Sequence, residues 1–301
     1  MYYLNSYFLT EQSKMHKNNI KQSLIGYPKK QGLYNPNHEK DACGFGFIAN
    51  LDNIPKHDII HQALEIVHNL DHRGAVSADP LAGDGAGILI QVPDEFFRLE
   101  LVKKNYVLPE LGNYGVGIIF FPNSQTEIKK IKSIIKDIIV KEGLELICWR
   151  DVPVDSSVLG VSVKANEPNI KQLFIRKGKN LKSESELDRK LYVVRKLISS
   201  ALHKNKINEE NFYIPSLSTR TIVYKGMVLA PNLSKYYLDF QNKSFKSAMA
   251  MFHQSPKTEL LTGTSLQQIN SRPSFIIMSF IILCIFMISV CEFGKKIIPT
   301  P

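Results

Sequence analysis

The sequence predicts an α+β fold, and three observations carry that expectation. Apolar residues recur at 3.6-residue spacing in three separate stretches, short β-rich apolar segments lie between them, and the two kinds alternate without the regular βαβ beat of a doubly wound parallel sheet. No internal repeat of fixed period is present.

Taken in order, Cys43 to Ile48 is a short apolar segment with glycines, read as a buried strand that other backbone approaches closely. Ile59, Ile60, Ala63, Leu64, Ile66, Val67 and Leu70 then mark one face of a helix. Gly87 to Val92 repeats the strand pattern, and Gly83, Gly85 and Gly87 before and within it suggest a tight turn. These glycines match neither the dinucleotide fingerprint nor a P-loop, so no nucleotide is implied. Val116 to Phe121 reads as a strand. A second helix through Ile128, Ile131, Ile134, Ile135, Ile138 and Ile139 opens on the capping box Ser124-Gln125-Thr126-Glu127 and stops at Gly143. Leu146 to Trp149, Leu173 to Ile175 and Thr221 to Tyr224 read as strands, with a third amphipathic helix through Leu187, Leu191, Val194, Leu197 and Ile198.

Composition bounds the rest. A chain of 301 residues with 44% apolar content can bury a sizeable core. The net charge of +10 comes from lysines interleaved with acids, as in Glu127 beside Lys129-Lys130, which describes solvated basic faces and not a nucleic-acid groove. Cysteines at 43, 148, 284 and 291 form no Cys-x-x-Cys pair, which fits a reducing, cytoplasmic compartment and offers neither a zinc site nor an iron-sulfur cradle. Residues 1–42 are polar and rich in lysine and turn formers, and read as a leader without the features of a secretory signal. Residues 255–274 are Ser/Thr/Gln-rich, and Phe275 to Cys291 is an uncharged apolar run that would span about 26 Å as a helix, marginal for a bilayer.

On the residues alone, a cysteine flanked by glycines at a strand start, as in Asp41-Ala42-Cys43-Gly44-Phe45-Gly46-Phe47, is accessible to a substrate but more often describes a buried packing residue. Histidines 57, 61, 68 and 72 fall within about a quarter turn on a helical wheel, opposite the apolar stripe, and read as a solvated face, not a metal site.

The order of several segments decides between the readings of Cys43. Gly32-Leu33-Tyr34 with Asp41-Ala42-Cys43-Gly44-Phe45-Gly46 resembles the processing site of the glutamate synthase large subunit. Leu70-Asp71-His72-Arg73-Gly74-Ala75-Val76, Ala78-Asp79-Pro80, Gly83 to Leu89, Trp149 to Pro153 and Ser216 to Met227 are similar to that family's segments in the same order. The resemblance implies a class II glutamine amidotransferase domain over residues 43–254, on the four-layer αββα sandwich of the N-terminal-nucleophile hydrolases. Cys43 is implied as the nucleophile, activated by its own α-amino group once residues 1–42 are removed as a propeptide. Glutamine is the implied substrate. Arg73 and Asp84 either border the glutamine pocket or anchor loops, the anchoring role being the expectation.

The resemblance stops after Met249-Ala250-Met251-Phe252-His253-Gln254, where the family continues with a carboxylate-gripping arginine and a His-Asn-Gly stretch that supplies oxyanion donors. Position 255 is serine, so the sandwich is expected to be incomplete at its C-terminal side. The resemblance places FMN, an iron-sulfur cluster and a small-subunit partner in regions of a full-length synthase that this chain lacks, and no cofactor or metal in this chain. Two expectations stand for residues 255–301: a non-family tail from a disrupted reading frame, or a membrane anchor built from Phe275 to Cys291. The competing function is an inactive scaffold or a membrane-anchored, non-catalytic binding protein.

Overall fold

The computed structural model describes residues 44–70, 79, 81–82, 85–205, 207 and 212–254. Among these, eight strands form two four-stranded antiparallel sheets. The first has the order β1-β8-β2-β7, built from β1 (Gly44–Ala49), β8 (Met249–Gln254), β2 (Ala86–Gln91) and β7 (Thr221–Gly226). The second has the order β4-β5-β3-β6, from β4 (Glu145–Asp151), β5 (Asn169–Arg176), β3 (Tyr114–Phe121) and β6 (Tyr213–Ser218). The longer helices are α1 (His57–Asn69), α2 (Asp94–Val102), α3 (Gln125–Lys141) and α5 (Glu184–Lys204). Val161–Lys164 (α4) and Leu233–Tyr236 (α6) are single turns. The α+β class is thus observed, as two antiparallel sheets packed with helices.

Strand alternation explains how both sheets share a core. Ile88, Ile90, Ile222, Tyr224, Ala250 and Phe252 of the first sheet turn into the same cluster as Tyr114, Val116, Ile118, Ile170 and Phe174 of the second, joined there by α1 and α2. Tyr224 spans the junction: its ring packs on Tyr237, Phe240 and Phe245, while its hydroxyl accepts from Gln172 Nε2 at 2.7 Å. The other face of the second sheet, with Ile119, Phe121, Leu173 and Ile175, is covered by the apolar stripes of α3 and α5. The two sheets meet where β6 turns into β7 through Thr219 and Arg220, and there Val223 N donates to Ser216 Oγ at 3.1 Å.

The three helices read from periodicity are present. Ser124 caps α3 by accepting from Glu127 N, and Gly143 follows the helix at φ +73°. Three elements lay outside the periodic reading. Helix α2 follows Pro93 with no side-chain cap and buries the adjacent Phe96 and Phe97. Strand β6 contains Pro215, and its register against β3 shifts between Ile118 and Phe120, so the proline sits at a bulge on an edge strand where its missing N–H breaks no ladder. Strand β8 pairs with both β1 and β2, from more than 150 residues away in sequence. Among the described residues no helix is long and apolar enough to cross a membrane; the run from Phe275 to Cys291 lies outside them.

Candidate active site

Cys43 itself lies outside the described residues, but the strand that it opens does not. Register aligns Gly44, Gln254, Ala86 and Gly226 in one row at a single end of the first sheet. That end therefore gathers the start of β1 just after Cys43, the last residue of β8, the start of β2 and the end of β7. The C-terminal end of α1 arrives at the same place: a Cβ on Gly44 would lie 3.2 Å from Leu70 Cδ1. Segments that sequence analysis singled out separately, around residues 43, 70, 85 and 226, thus share one edge of one sheet.

Two glycines permit this convergence. A Cβ on Gly46 would stand 2.6 Å from Phe252 Cζ, so no side chain fits where β1 crosses β8. Gly85 takes φ +115°, and a Cβ there would approach Gly226 O at 3.1 Å. The tight turn expected of the glycine-bearing segment therefore rests on Gly85, at the entry to β2. Gly83 and Asp84 lie outside the described residues, as does Arg73.

Asp79, in a segment beside the expected anchors Arg73 and Asp84, which lie outside the described residues, anchors a loop. Its Oδ2 accepts from Ser162 Oγ at 2.8 Å and Ser162 N at 3.1 Å, and its Oδ1 from Leu81 N at 3.2 Å. Those bonds hold the carboxyl below its ordinary range, the Ser162 hydroxyl contributing most. The interaction ties the segment between α1 and β2 to the first turn of α4, a pairing over 83 residues that no local pattern announces.

The solvated face expected for the four histidines is seen at two of them. His61 and His68 are exposed on α1, while His57 Nδ1 lies 2.9 Å from Phe245 O and His72 is outside the described residues. Among the described residues no three His, Cys, Asp or Glu side chains converge as metal ligands.

Cys148 is buried on β4, and burial pushes its thiol up to about 11. At neutral pH its nucleophilic thiolate is scarce, which separates it from any cysteine activated for chemistry. Iodoacetamide at pH 7.5 is expected to leave Cys148 unmodified in the folded chain and to label it after denaturation, read by peptide mass. Labelling at equal rates in both states would contradict the burial.

A family model for class II glutamine amidotransferases matches residues 43–264, reaching ten residues beyond Gln254. The chain is 43% identical over 226 residues to the glutamate synthase (NADPH) large chain of Bacillus subtilis (strain 168), covering 75% of this chain and 14% of that protein. It is 39% identical over 220 residues to the chloroplastic/mitochondrial ferredoxin-dependent glutamate synthase 1 of Arabidopsis thaliana, covering 73% and 13%. To the glutamate synthase (NADH) of Saccharomyces cerevisiae it is 40% identical over 237 residues, covering 75% and 11%. The chain spans between 11% and 15% of the length of these and similar curated relatives.

Proposed function

The chain belongs to the class II glutamine amidotransferases, and from that membership we propose that it is the glutamine-hydrolysing module of a glutamate synthase, with Cys43 as nucleophile after removal of residues 1–42. The observation that carries this reading is the convergence of the starts of β1 and β2, the ends of β7 and β8, and the end of α1 at the edge where Cys43 precedes Gly44.

The chemistry follows from the position. While Ala42 is attached, the Cys43 nitrogen is an amide and not a base. After cleavage it is an α-amino group titrating near ~8, close to the thiol that it must deprotonate. The amine takes the thiol proton and the thiolate attacks the carbonyl carbon of the glutamine side chain. The tetrahedral adduct collapses as the same proton passes to the leaving nitrogen, releasing ammonia and leaving a γ-glutamyl thioester. Water, deprotonated by the same amine, cleaves the thioester to glutamate and restores the thiol. These steps use no cofactor. In a complete synthase the ammonia is transferred to 2-oxoglutarate, a reaction for which residues 43–254 supply only the first half. Ser255 stands where the resemblance expects the carboxylate-gripping arginine, so weak glutamine binding is part of this proposal.

Intact-mass measurement tests the processing step. The active species is expected to begin at Cys43, and glutaminase activity in a preparation that retains Met1 throughout would refute the mechanism. The alternative of a membrane-tethered, non-catalytic chain predicts no ammonia release and recovery with membranes on fractionation.

A further inference from the structure

Next to the row that ends at Gly44, a second row of the first sheet carries charge that the proposed chemistry does not use. Register sets Phe45, His253, Gly87 and Lys225 side by side across β1, β8, β2 and β7. Strand alternation places them on the face opposite Tyr224 and Phe252. Phe45 is 65% exposed there. Lys225 is half-buried, and its Nζ lies 4.2 Å from the centroid of the ring of Tyr213, the first residue of β6. Arg195, on α5, lies beside the Tyr213 hydroxyl without full hydrogen-bond geometry, and that buried hydroxyl has no hydrogen-bond partner among the described residues.

Among the described residues the cluster is cationic and has no counter-ion. Among the described residues neither Lys225 nor Arg195 takes part in an ion pair. Burial first, and Arg195 second, lower the Lys225 amine to about 8. Burial and then Lys225 likewise hold His253 below its ordinary value. Cations gathered partly out of water beside an unpartnered hydroxyl are unfavourable until an anion completes the group.

We propose that Lys225, Arg195 and Tyr213 form a binding site for a small oxyanion where the end of β7 passes the start of β6. The ammonium contributes a point charge, the guanidinium a planar fork that matches paired oxygens, and the phenol a neutral donor. Lys225 stands three strands from β1, roughly 14 Å at ordinary strand spacing. The anion held here is therefore not the substrate attacked by Cys43, and the site does not depend on whether Cys43 turns over glutamine. A free carboxylate or a phosphate would satisfy the same three groups.

Thermal unfolding of the full chain in inorganic phosphate, in L-glutamate and in chloride at equal ionic strength tests the site. Near saturation, phosphate or glutamate is expected to raise the midpoint by roughly 2–4 °C over chloride, and which of the two does so identifies the source of the anion. The rise should vanish in Lys225→Met and Arg195→Met and persist in part in Lys225→Arg. No rise over chloride in the wild type, or an equal rise in the methionine variants, would overturn the proposal. Should a variant fail to fold, the wild type alone still decides the matter: the effective anion should slow acetylation of Lys225 several-fold while leaving the exposed Lys235 unchanged, and absence of protection would overturn it.

Discussion

Cys43→Ala is expected to abolish ammonia release from glutamine, a fall of about 10⁴-fold or more for loss of a nucleophile in a covalent mechanism. The size of the effect follows from the nucleophile's carrying the covalent intermediate. Cys148, the only cysteine among the described residues, is buried on β4 with its thiol raised to about 11. It cannot replace a thiolate at the sheet edge, and Cys148→Ala should leave turnover within about twofold of wild type. Activity that survives in Cys43→Ala would remove the N-terminal-nucleophile mechanism. A wild-type chain with no ammonia release above background would instead favour the inactive scaffold, because Ser255 then fails to hold glutamine for a competent thiol. The two outcomes are distinguished by direct labelling. A processed but unproductive Cys43 should still react with an electrophilic glutamine analogue, and an unprocessed one should not.

Helices α1, α3 and α5 were legible because each carries its own apolar stripe, and α3 carries its cap as well. Local pattern sufficed where local geometry decides the structure. Strand β8 shows the opposite case. Its burial arises from being flanked by β1 and β2, and that pairing joins residues far apart in the chain, so nothing in Met249–Gln254 alone distinguishes a central strand. Helix α2 escaped because two adjacent phenylalanines, Phe96 and Phe97, break the simple stripe while both find apolar partners, Phe245 and Phe174. The site divided in the same way. Motif order identified the segments around residues 43, 70, 85 and 226, whereas their shared edge is a property of register. Asp79, and the cluster of Lys225 with Arg195 and Tyr213, depend on contacts across sheets and loops and left no mark in sequence spacing.

Arg150 was legible only as one residue of the Trp149-to-Pro153 segment, and the structure gives it the most buried polar network of the described residues. Its side chain is 4% exposed and grips Asp239, 1% exposed, through Nη1 at 2.9 Å and Nη2 at 2.7 Å. Gln172 Oε1 accepts a further bond from Nη1 at 2.8 Å, and the Tyr224 hydroxyl donates to Asp239 Oδ2 at 2.9 Å. No fully buried side-chain atom of the group lacks a partner, so the pair adds little over an apolar replacement, but either charge left alone in this core is costly. Arg150→Met is therefore expected to destabilise the fold by about 3–5 kcal/mol. At ~2–4 °C per kcal/mol for a domain of this size, the midpoint should drop by roughly 6–20 °C. Asp239→Asn should cost less, because Arg150 keeps Gln172 and gains in relative weight from Glu100, 3.5 Å away and partly solvated. The double variant Arg150→Met/Asp239→Leu should recover part of the loss, since it leaves no charge without a partner. Urea unfolding of the wild type, Arg150→Met, Asp239→Leu and the double variant measures the coupling, with Asp239→Asn measured beside them. Additive losses in the double variant would show that these side chains act independently, and a smaller loss for Arg150→Met than for Asp239→Asn would reverse the order that the second carboxylate imposes.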